Sequence, residues 1–321
     1  MQKDKSITEI IGRFGLAPMA GYTDMAFRHI CRSFGASFVI TEMVSAKAIR
    51  FKDKKTPLLM KFNEDERPIG IQLFGNDPQD FAYAAAFAEE HFHPDFIDIN
   101  MGCPAPKITG GGAGSKLMEN GKLAYEIVDA TVRSVALPVT CKIRAGYHTV
   151  TAPALAPLLE QAGASAIFVH ARTRDQMYYP PIDPQVITDV KNIVSIPVYG
   201  NGDILNKQDA ESMFRSTGCD GILIGRGALG NPFLFSELSQ PEHVGSVSLE
   251  DRIQVLLDQA KASIEDKGEY IGIREMRKHA PYYFKGVKNA ASIRNDCVTV
   301  SSYLELKELC EKVLIYGYSR N

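Results

Sequence analysis

Along most of this 321-residue chain, eight short apolar runs alternate with amphipathic stretches, which leaves few folds open to it. Several runs are apolar throughout, as is typical of strands that a parallel sheet buries on both faces. The stretches between them are long enough for crossover helices, so the pattern predicts successive βαβ units. The predicted strands are Phe14–Met19, Ser37–Thr41, Pro68–Phe74, Phe96–Asn100, Pro138–Ile143, Ala166–His170, Pro197–Gly200 and Gly221–Gly225.

Helix capping signals support the same division of the chain. The helices with the clearest ends run from Thr23-Asp24 to just before Gly35, from Pro78 to about His91, from Leu155 to Ala162 and from Asn206 to Thr217. Eight such units fit a closed (β/α)₈ barrel, an α/β fold, better than a doubly wound sheet. The turn after the first strand also lacks the GxGxxG pattern of dinucleotide-binding sheets, which disfavours the doubly wound alternative.

The pattern changes after Pro232. Residues 249–321 show helical periodicity without alternating strands, and one helix is predicted over Tyr303–Leu314. We therefore predict two domains, a barrel of residues 1–240 and a small all-helical domain of residues 249–321, joined by the linker Gln240–Ser248.

Charge limits how the protein can contact nucleic acid. A formal net charge of −2 excludes a polybasic coat, so any such contact must come from local patches. Between Val44 and Lys61 six basic residues accompany one acid, Asp53, and between Arg274 and Arg294 six more accompany only Glu275. Each patch is as compatible with a solvated face as with a phosphate-binding surface.

The cysteines indicate neither a zinc site nor a disulfide framework, because none forms a CxxC pair. They stand at positions 31, 103, 141, 219, 297 and 310. The N-terminus has no apolar signal core, and no run approaches the roughly 18 apolar residues of a membrane span. We therefore expect a cytoplasmic protein that binds no metal and spans no membrane.

Polar residues recur where the predicted strands end. In a (β/α)₈ barrel the chemistry lies at the C-terminal ends of the strands, and polar groups inside apolar strands are costly without a role. The recurrence therefore predicts an active site across the mouth of the barrel. These ends carry Ala17–Gly21, Glu42, Gln72, Asn100, Lys142, Arg144, His170, Asn201–Asp203 and Arg226.

The last two strand ends form a phosphate-binding signal. Gly200–Asp203 and Gly225–Gly227 supply small residues that let the backbone approach a phosphate, and Arg226 adds a permanent cation. Loops after the seventh and eighth strands commonly bind phosphate in this fold. The alternative is a pair of glycine turns with a solvated arginine.

Lys142 lies inside an apolar run, so its charge needs a compensating partner. It could form a Schiff base, as in barrel aldolases, or lie as a cation beside the N1–C2=O edge of a flavin. Gln72 and Asn100 carry amides suited to a pyrimidine-like edge and favour the flavin.

Cys103 follows the fourth strand in a Gly-Cys-Pro turn, which predicts an exposed thiol. Such a thiol can act as a general acid or as a nucleophile. We interpret the other five cysteines as core residues. The nearby glycine run Gly110–Gly114 lacks the GK[ST] of a phosphate-binding loop, and we interpret it as a lid hinge.

Taken together, these motifs resemble the bacterial tRNA-dihydrouridine synthases, FMN-dependent barrels with a C-terminal helical RNA-binding domain. The resemblance extends from about Phe14 to Arg294. Its motifs are Ala17–Gly21, Asp98–Pro104 with Lys107, Lys142–Arg144, His170–Thr173, Asn201–Asp203, Gly225–Pro232, and Arg277–His279 with Tyr282 and Tyr283.

The resemblance implies reduction of uracil to dihydrouridine in tRNA by a monomer, with NADPH or NADH as reductant. Hydride would pass from flavin N5 to uracil C6, and Cys103 would donate the proton to C5. Asn100 would lie close to both the flavin and the uracil. Implied FMN contacts are Pro18, Met19, Ala20, Gln72, Lys142, His170, Asn201, Gly202, Asp203, Gly225 and Arg226. Implied RNA contacts are Lys107, Arg144, Arg172, Arg274, Arg277, Lys278, Tyr282 and Lys285.

The chain departs from the family pattern at Tyr179–Asp183, where the family usually has a glycine-containing stretch. This loop puts the RNA site, rather than the chemistry, in question. Three alternatives stay open: a flavin barrel acting on a free pyrimidine such as dihydroorotate, a Schiff-base aldolase built on Lys142, and a non-catalytic RNA-binding protein.

Overall fold

The structure, a computed structural model, describes residues 6–240, 242 and 246–316. Predictions for residues 1–5, 241, 243–245 and 317–321, which belong to the two domain ends and the linker, lie outside the described residues. The described residues form nine strands. They are β1 (Phe14–Leu16), β2 (Phe38–Ile40), β3 (Val44–Ser45), β4 (Ile69–Phe74), β5 (Phe96–Met101), β6 (Val139–Gly146), β7 (Ala166–Thr173), β8 (Val198–Asn201) and β9 (Gly221–Ile224).

Eight of these described strands close into a parallel barrel, which confirms the predicted fold. The order around the sheet is β2-β1-β9-β8-β7-β6-β5-β4, and a β2–β4 pairing completes the ring. The two-residue strand β3 was not predicted; it pairs with β4 beyond the end of β2, at Val44↔Leu73. Strands β6 and β7 run three residues past their predicted ends, to Gly146 and Thr173.

Helices alternate with the barrel strands, and four more follow them. They are α1 (Ile7–Ile11), α2 (Met25–Ser33), α3 (Ala46–Arg50), α4 (Pro78–Phe92), α5 (Pro106–Thr109), α6 (Gly121–Ser134), α7 (Ala152–Gln161), α8 (Pro184–Ile193), α9 (Lys207–Thr217), α10 (Phe233–Ser239), α11 (Leu249–Lys267), α12 (Glu269–Tyr283), α13 (Ala290–Cys297) and α14 (Tyr303–Tyr316). The predicted caps are confirmed at α2, where Asp24 accepts the Phe27 N–H at 3.0 Å, and at α9, which ends in Gly218 with φ 65°. Helix α7 begins three residues before its predicted start at Leu155.

Aromatic rings paired with glycines fill the N-terminal end of the barrel. Phe38 lies in register with Gly15, Phe96 with Gly70, and Tyr199 with Gly221. A Cβ at any of these glycines would lie within 2.3 Å of the partner ring, so only glycine leaves the ring its space. This end is therefore closed by side chains, and the C-terminal end holds the cavity.

Helices α11–α14 enclose a second hydrophobic core and pack on α2 and the mouth of the barrel. Lys267 donates to Asp24 at 2.6 Å and also pairs with Glu275. Burial alone would raise the pKa of Asp24, but Lys267 and His279 overcome that effect and hold it at about 2. We propose that these helices form the predicted C-terminal domain, which brings α12 to the edge of the cavity.

Candidate functional site

A cavity of about 520 Å³ opens at the C-terminal ends of the strands, a volume typical of cofactor and small-molecule pockets. It is formed where the sequence predicted the site. Every residue predicted to bind the cofactor or to act as the acid lines it: Pro18, Met19, Ala20, Gln72, Asn100, Cys103, Lys142, His170, Asn201, Gly202, Asp203, Gly225 and Arg226.

A hydrogen-bond chain crosses the cavity floor and ends at the cysteine turn. The Gln72 amide donates to Asp98 Oδ2 at 2.7 Å, and Gln72 Oε1 accepts from Asn100 Nδ2 at 2.8 Å. Asn100 Oδ1 then accepts the backbone N–H groups of Gly102 at 3.1 Å and of Cys103 at 2.9 Å. In each of the two amides both the nitrogen and the oxygen are hydrogen-bonded, so this network fixes the orientation of the amide group.

Asp98 begins this hydrogen-bond chain, and no role was predicted for it from the sequence. It is fully buried, and its second oxygen accepts from the Thr140 hydroxyl at 2.6 Å. Burial raises its pKa to about 7, although the hydrogen bonds from Thr140 and Gln72 and the charge of Lys142 oppose the rise. Asp98 is therefore a buried carboxyl that changes charge near neutral pH.

We expect Asp98→Asn to become progressively more stable than wild type as the pH rises from about 4 to 7. In that range the folded wild type binds a proton that its unfolded chain has lost, so its stability falls with rising pH. An asparagine keeps the bond from Gln72 and does not titrate. Thermal unfolding should show a difference that grows by at least about 1 kcal/mol across this range. A difference that is the same at every pH would contradict the assignment.

Lys142 extends into the cavity with an incomplete set of partners. Its ammonium donates to Asn201 Oδ1 at 3.1 Å, and Asn201 in turn donates to the Leu223 carbonyl at 2.8 Å. Within the described part of the chain no carboxylate forms an ion pair with Lys142. Burial lowers its pKa to about 8, as does the nearby Arg144. The side chain is therefore still mostly a cation at neutral pH, with donors left for an acceptor in the cavity.

His170 lies on the same wall and is neutral. Burial holds its pKa well below the ordinary value, and the cations of Lys142, Arg144, Arg172 and Arg226 lower it further. A neutral imidazole carries one donor and one acceptor, so it can hydrogen-bond a ligand without adding charge.

The loops after β8 and β9 meet at one side of the cavity. A Cβ on Gly227 would lie 2.0 Å from the Ile204 carbonyl oxygen, so the close approach of the two loops requires glycine. Gly202, at φ 136°, also occupies a conformation that favours glycine. Arg226 pairs with Asp203 at 3.1 Å and leaves half of its side chain exposed. The pair of loops thus offers backbone and one guanidinium to an anion.

Cys103 lies in a turn that is clamped from two directions. Asn100 holds its N–H from the cavity floor, while its carbonyl accepts from the Ser115 backbone at 3.1 Å and from the Ser115 hydroxyl at 2.9 Å. Gly114, at φ 61°, packs against it so closely that a Cβ would lie 2.8 Å from the Cys103 carbonyl oxygen. The glycine run therefore supports the cysteine turn; that it also acts as a lid hinge stays a prediction.

Cys103 is only partly buried, whereas the other five cysteines, all within the described residues, are buried. Their interpretation as core residues is confirmed. Burial also raises their pKa values, to about 12 at Cys297 and Cys310, so these thiols are inert at neutral pH.

The residues predicted to contact RNA divide into two groups. Arg144 and Arg172 are buried. Arg172 forms a salt bridge with Asp203 and donates to the Tyr179 carbonyl at 2.8 Å, so it braces the loops after β7 and β8 and presents no charge to RNA. Arg144 donates to the Gly102 carbonyl at 2.7 Å and lines the cavity beside the cysteine turn.

The other predicted RNA contacts reach the surface. Lys107 on α5 and Lys285 after α12 are exposed, while Arg274 and Arg277 are half-buried and spend donors on backbone carbonyls. Lys278 lies 5.9 Å from the Tyr22 ring at the edge of the mouth. Tyr282 lines the cavity, whereas its neighbours Tyr283 and Phe284 are core residues.

The cavity wall also contains side chains that were not predicted, among them Tyr22, Met43 and Tyr178. The Tyr178 ring lies near two guanidiniums, 5.6 Å from that of Arg144 and 4.9 Å from that of Arg226. It belongs to the loop where the sequence departs from the family pattern. In that loop Ile182 packs over Gly202, so closely that a Cβ on Gly202 would lie 2.8 Å from the Ile182 side chain. The segment that departs from the family pattern therefore contacts the cavity wall.

No group of three or more His, Cys, Asp and Glu side chains in the described residues is arranged to hold a metal ion. Nor does the described part of the chain contain a helix long and apolar enough to cross a membrane.

The sequence profile of the dihydrouridine synthase family matches residues 15–315. A probable tRNA-dihydrouridine synthase of Rickettsia conorii is 38% identical over 309 residues, which cover 94% of this chain and 92% of the relative. The tRNA-dihydrouridine synthase B of Pseudomonas aeruginosa is 38% identical over 288 residues, covering 88% and 86% of the two chains.

Solved structures show the same fold at low identity. The old yellow enzyme of Trypanosoma cruzi superposes with a TM-score of 0.52 at 10% identity, covering 76% of this chain and 92% of that one. The NCR protein of Zymomonas mobilis superposes with a TM-score of 0.53 at 14% identity, covering 75% and 90% of the two chains in a solved variant.

Proposed function

This chain belongs to the dihydrouridine synthase family, and on that premise we propose that it reduces the C5=C6 bond of uracil in tRNA to give 5,6-dihydrouridine. The observation that carries the proposal is one cavity that contains both the partly exposed thiol of Cys103 and the cation of Lys142. The RNA substrate is inferred from the names of the relatives, and the chemistry is inferred from the groups in the cavity.

The residues of the cavity fit FMN. Lys142 has donors to spare for the anionic edge of a reduced flavin, and the amide of Gln72 and the neutral His170 offer hydrogen bonds to a heterocycle. Arg226 and the glycines after β8 and β9 would hold the phosphate. When bound, reduced FMN supplies the hydride that adds to uracil C6, and NADPH or NADH is the expected reductant.

The proton for uracil C5 comes from Cys103 in this proposal. Its turn is fixed by Asn100 and Ser115, so the backbone that carries the thiol keeps one position while the base enters. Positioned general acids typically contribute about 10²–10⁴-fold to a rate. Lys142 stays charged nearby and balances negative charge in the cavity.

A uridine inside folded RNA must leave its stack to reach this cavity, at a cost of a few kcal/mol. Tyr282 and Tyr22 line the mouth with rings on which a base can lie, and Lys278 stands beside them. These side chains come from α12 and from the loop after β1, so the C-terminal helices take part in admitting the base.

The test is to incubate the purified protein with unmodified tRNA and NADPH and to analyse the digested RNA by mass spectrometry. We expect some uridines to gain two hydrogens, in proportion to the NADPH consumed. A protein that purifies with flavin and oxidises NADPH, yet leaves every uridine unchanged while reducing free uracil or oxidising dihydroorotate, would contradict the RNA substrate. A colourless protein that still binds tRNA would contradict catalysis, and borohydride trapping of a carbonyl substrate on Lys142 would indicate an aldolase.

A further inference from the structure

A basic and aromatic loop stands at the rim of the barrel, between α3 and β4. It follows β3, which pairs with β4 at the C-terminal end of the sheet, and it begins just after Met43 in the cavity wall. Its outermost part comprises Phe51, Lys52, Lys54 and Lys55, which we call the rim patch. Phe51 is eight residues from Met43, so its Cα lies within about 30 Å of that of Met43.

The rim patch exposes an aromatic ring together with three positive charges. Phe51 is 72% exposed, and the three lysines beside it are exposed as well. A single exposed apolar side chain is ordinary by itself. A ring flanked by lysines is the combination that binds single-stranded nucleic acid, because the base stacks and the phosphates are neutralised.

The loop is held in shape without using the side chains of its lysines. Asp53 accepts the backbone N–H of Thr56 at 2.7 Å, its hydroxyl at 2.8 Å and the N–H of Lys55 at 3.0 Å, while Arg50 pairs with Asp80 on α4 at 2.9 Å. None of the three lysines of the rim patch forms an ion pair within the described residues. The acid in the segment is thus engaged by the backbone, and the cations are left for a partner.

We propose that the rim patch is a second RNA-binding surface, in which Lys52, Lys54 and Lys55 contact phosphates and Phe51 stacks on an unpaired base. The inference rests on the proposed function in RNA and adds a surface to it. Charge complementarity selects RNA, because the patch concentrates cations on a chain whose net charge is −2.

The rim patch and α12 approach the cavity from different elements. Lys278 and Tyr282 reach the mouth from α12, and the rim patch reaches it through Met43 and β3. An RNA strand whose uridine enters the cavity therefore meets cations from two separate elements. Two separate phosphate contacts fix the position and orientation of the RNA backbone on the protein, whereas a single contact leaves the backbone free to rotate about it.

The test compares tRNA binding by four variants over a range of salt concentrations. The rim triple is Lys52→Glu, Lys54→Glu and Lys55→Glu, and single variants are Phe51→Ala and Phe51→Tyr. The matched control triple is Lys122→Glu, Lys207→Glu and Lys261→Glu, which changes net charge equally at exposed helical lysines that do not line the cavity.

We expect the rim triple to weaken tRNA binding at least tenfold at low salt and to lower the slope of log Kd against log salt by about 2–3. Phe51→Ala should weaken binding roughly tenfold with little change in slope, and Phe51→Tyr should bind like wild type. The control triple should stay within about twofold of wild type at physiological salt, where long-range effects are screened.

Reduction of bound flavin by NADPH without RNA should be the same in all four variants, which shows that each is folded. Formation of dihydrouridine by the wild type tests the proposed function separately, so the two ideas can fail independently. The inference is overturned if the rim triple binds tRNA no worse than the control triple. It is equally overturned if the patch proves to bind a second copy of the chain or anionic vesicles while the Kd for tRNA stays unchanged.

Discussion

Cys103→Ala should form dihydrouridine about 10²–10⁴-fold more slowly than wild type while it binds flavin and oxidises NADPH normally. The thiol is the partly exposed cysteine in the cavity wall, and its turn is fixed through backbone groups that alanine retains. The substitution therefore removes the proton donor and leaves the cavity in shape. Single-turnover rates on unmodified tRNA, with flavin content measured on the same sample, give the comparison.

Cys219→Ala is the matched control, because Cys219 is buried and does not line the cavity. It should keep the wild-type rate once the protein is folded. Wild-type turnover by Cys103→Ala would assign the acid to another group, and equal losses in both variants would indicate a general effect of removing a thiol.

Lys142→Met should reduce the rate of flavin reduction by NADPH about 100-fold and lower the reduction potential of the bound flavin. Methionine matches the length of the lysine stem but removes the cation, which has no carboxylate partner in the described residues and whose remaining donors face the cavity. A preorganised charge of this kind is typically worth about 10²–10³-fold. For a two-electron couple, a hundredfold change in the equilibrium constant for reduction corresponds to a shift of about 60 mV in the reduction potential. This shift can be measured against a reference dye.

Lys122→Met provides the control for loss of one positive charge, because Lys122 is 86% exposed on α6. It should leave both the potential and the rate unchanged. If Lys142→Met retained the wild-type potential, the cation would not lie against the flavin, and its place in the cavity would need another explanation.

The barrel and its mouth could be predicted from the sequence because both depend on local patterns. Apolar runs such as Gly221–Ile224 are buried on both faces, and the polar residues Gln72, Asn100 and Lys142 lie in the C-terminal halves of the predicted strands. Closure of the sheet then brings these ends together at one cavity. The alternation of strands and helices thus determines the place of the site.

Strands β6 and β7 were predicted to end three residues too early, at Ile143 and His170. Arg144 and Arg172 continue them, since each finds buried acceptors that no local pattern reveals. The same partners explain why neither side chain reaches the outer surface. A basic residue at a strand end can be an internal brace as well as a ligand contact, and only the tertiary partners distinguish the two.

Asp98 and Tyr178 illustrate what spacing cannot supply. The position of Asp98 in β5 is that of an ordinary strand residue, and nothing in its spacing marks it. Its raised pKa comes from burial inside the closed barrel. Tyr178 lies on a loop, and its place near Arg144 and Arg226 depends on how that loop folds back over the mouth. Both belong to long-range contacts that the alternation of strands and helices does not specify.

The most direct test of the account is a single anaerobic turnover without nicotinamide. The bound flavin is reduced with light, unmodified tRNA is added, and flavin absorbance and dihydrouridine are followed together. We expect the flavin to be reoxidised with about one dihydrouridine formed per flavin, and Cys103→Ala to slow both signals alike. A flavin that stays reduced in the presence of tRNA, or that is reoxidised without any dihydrouridine, would contradict uracil reduction in this cavity.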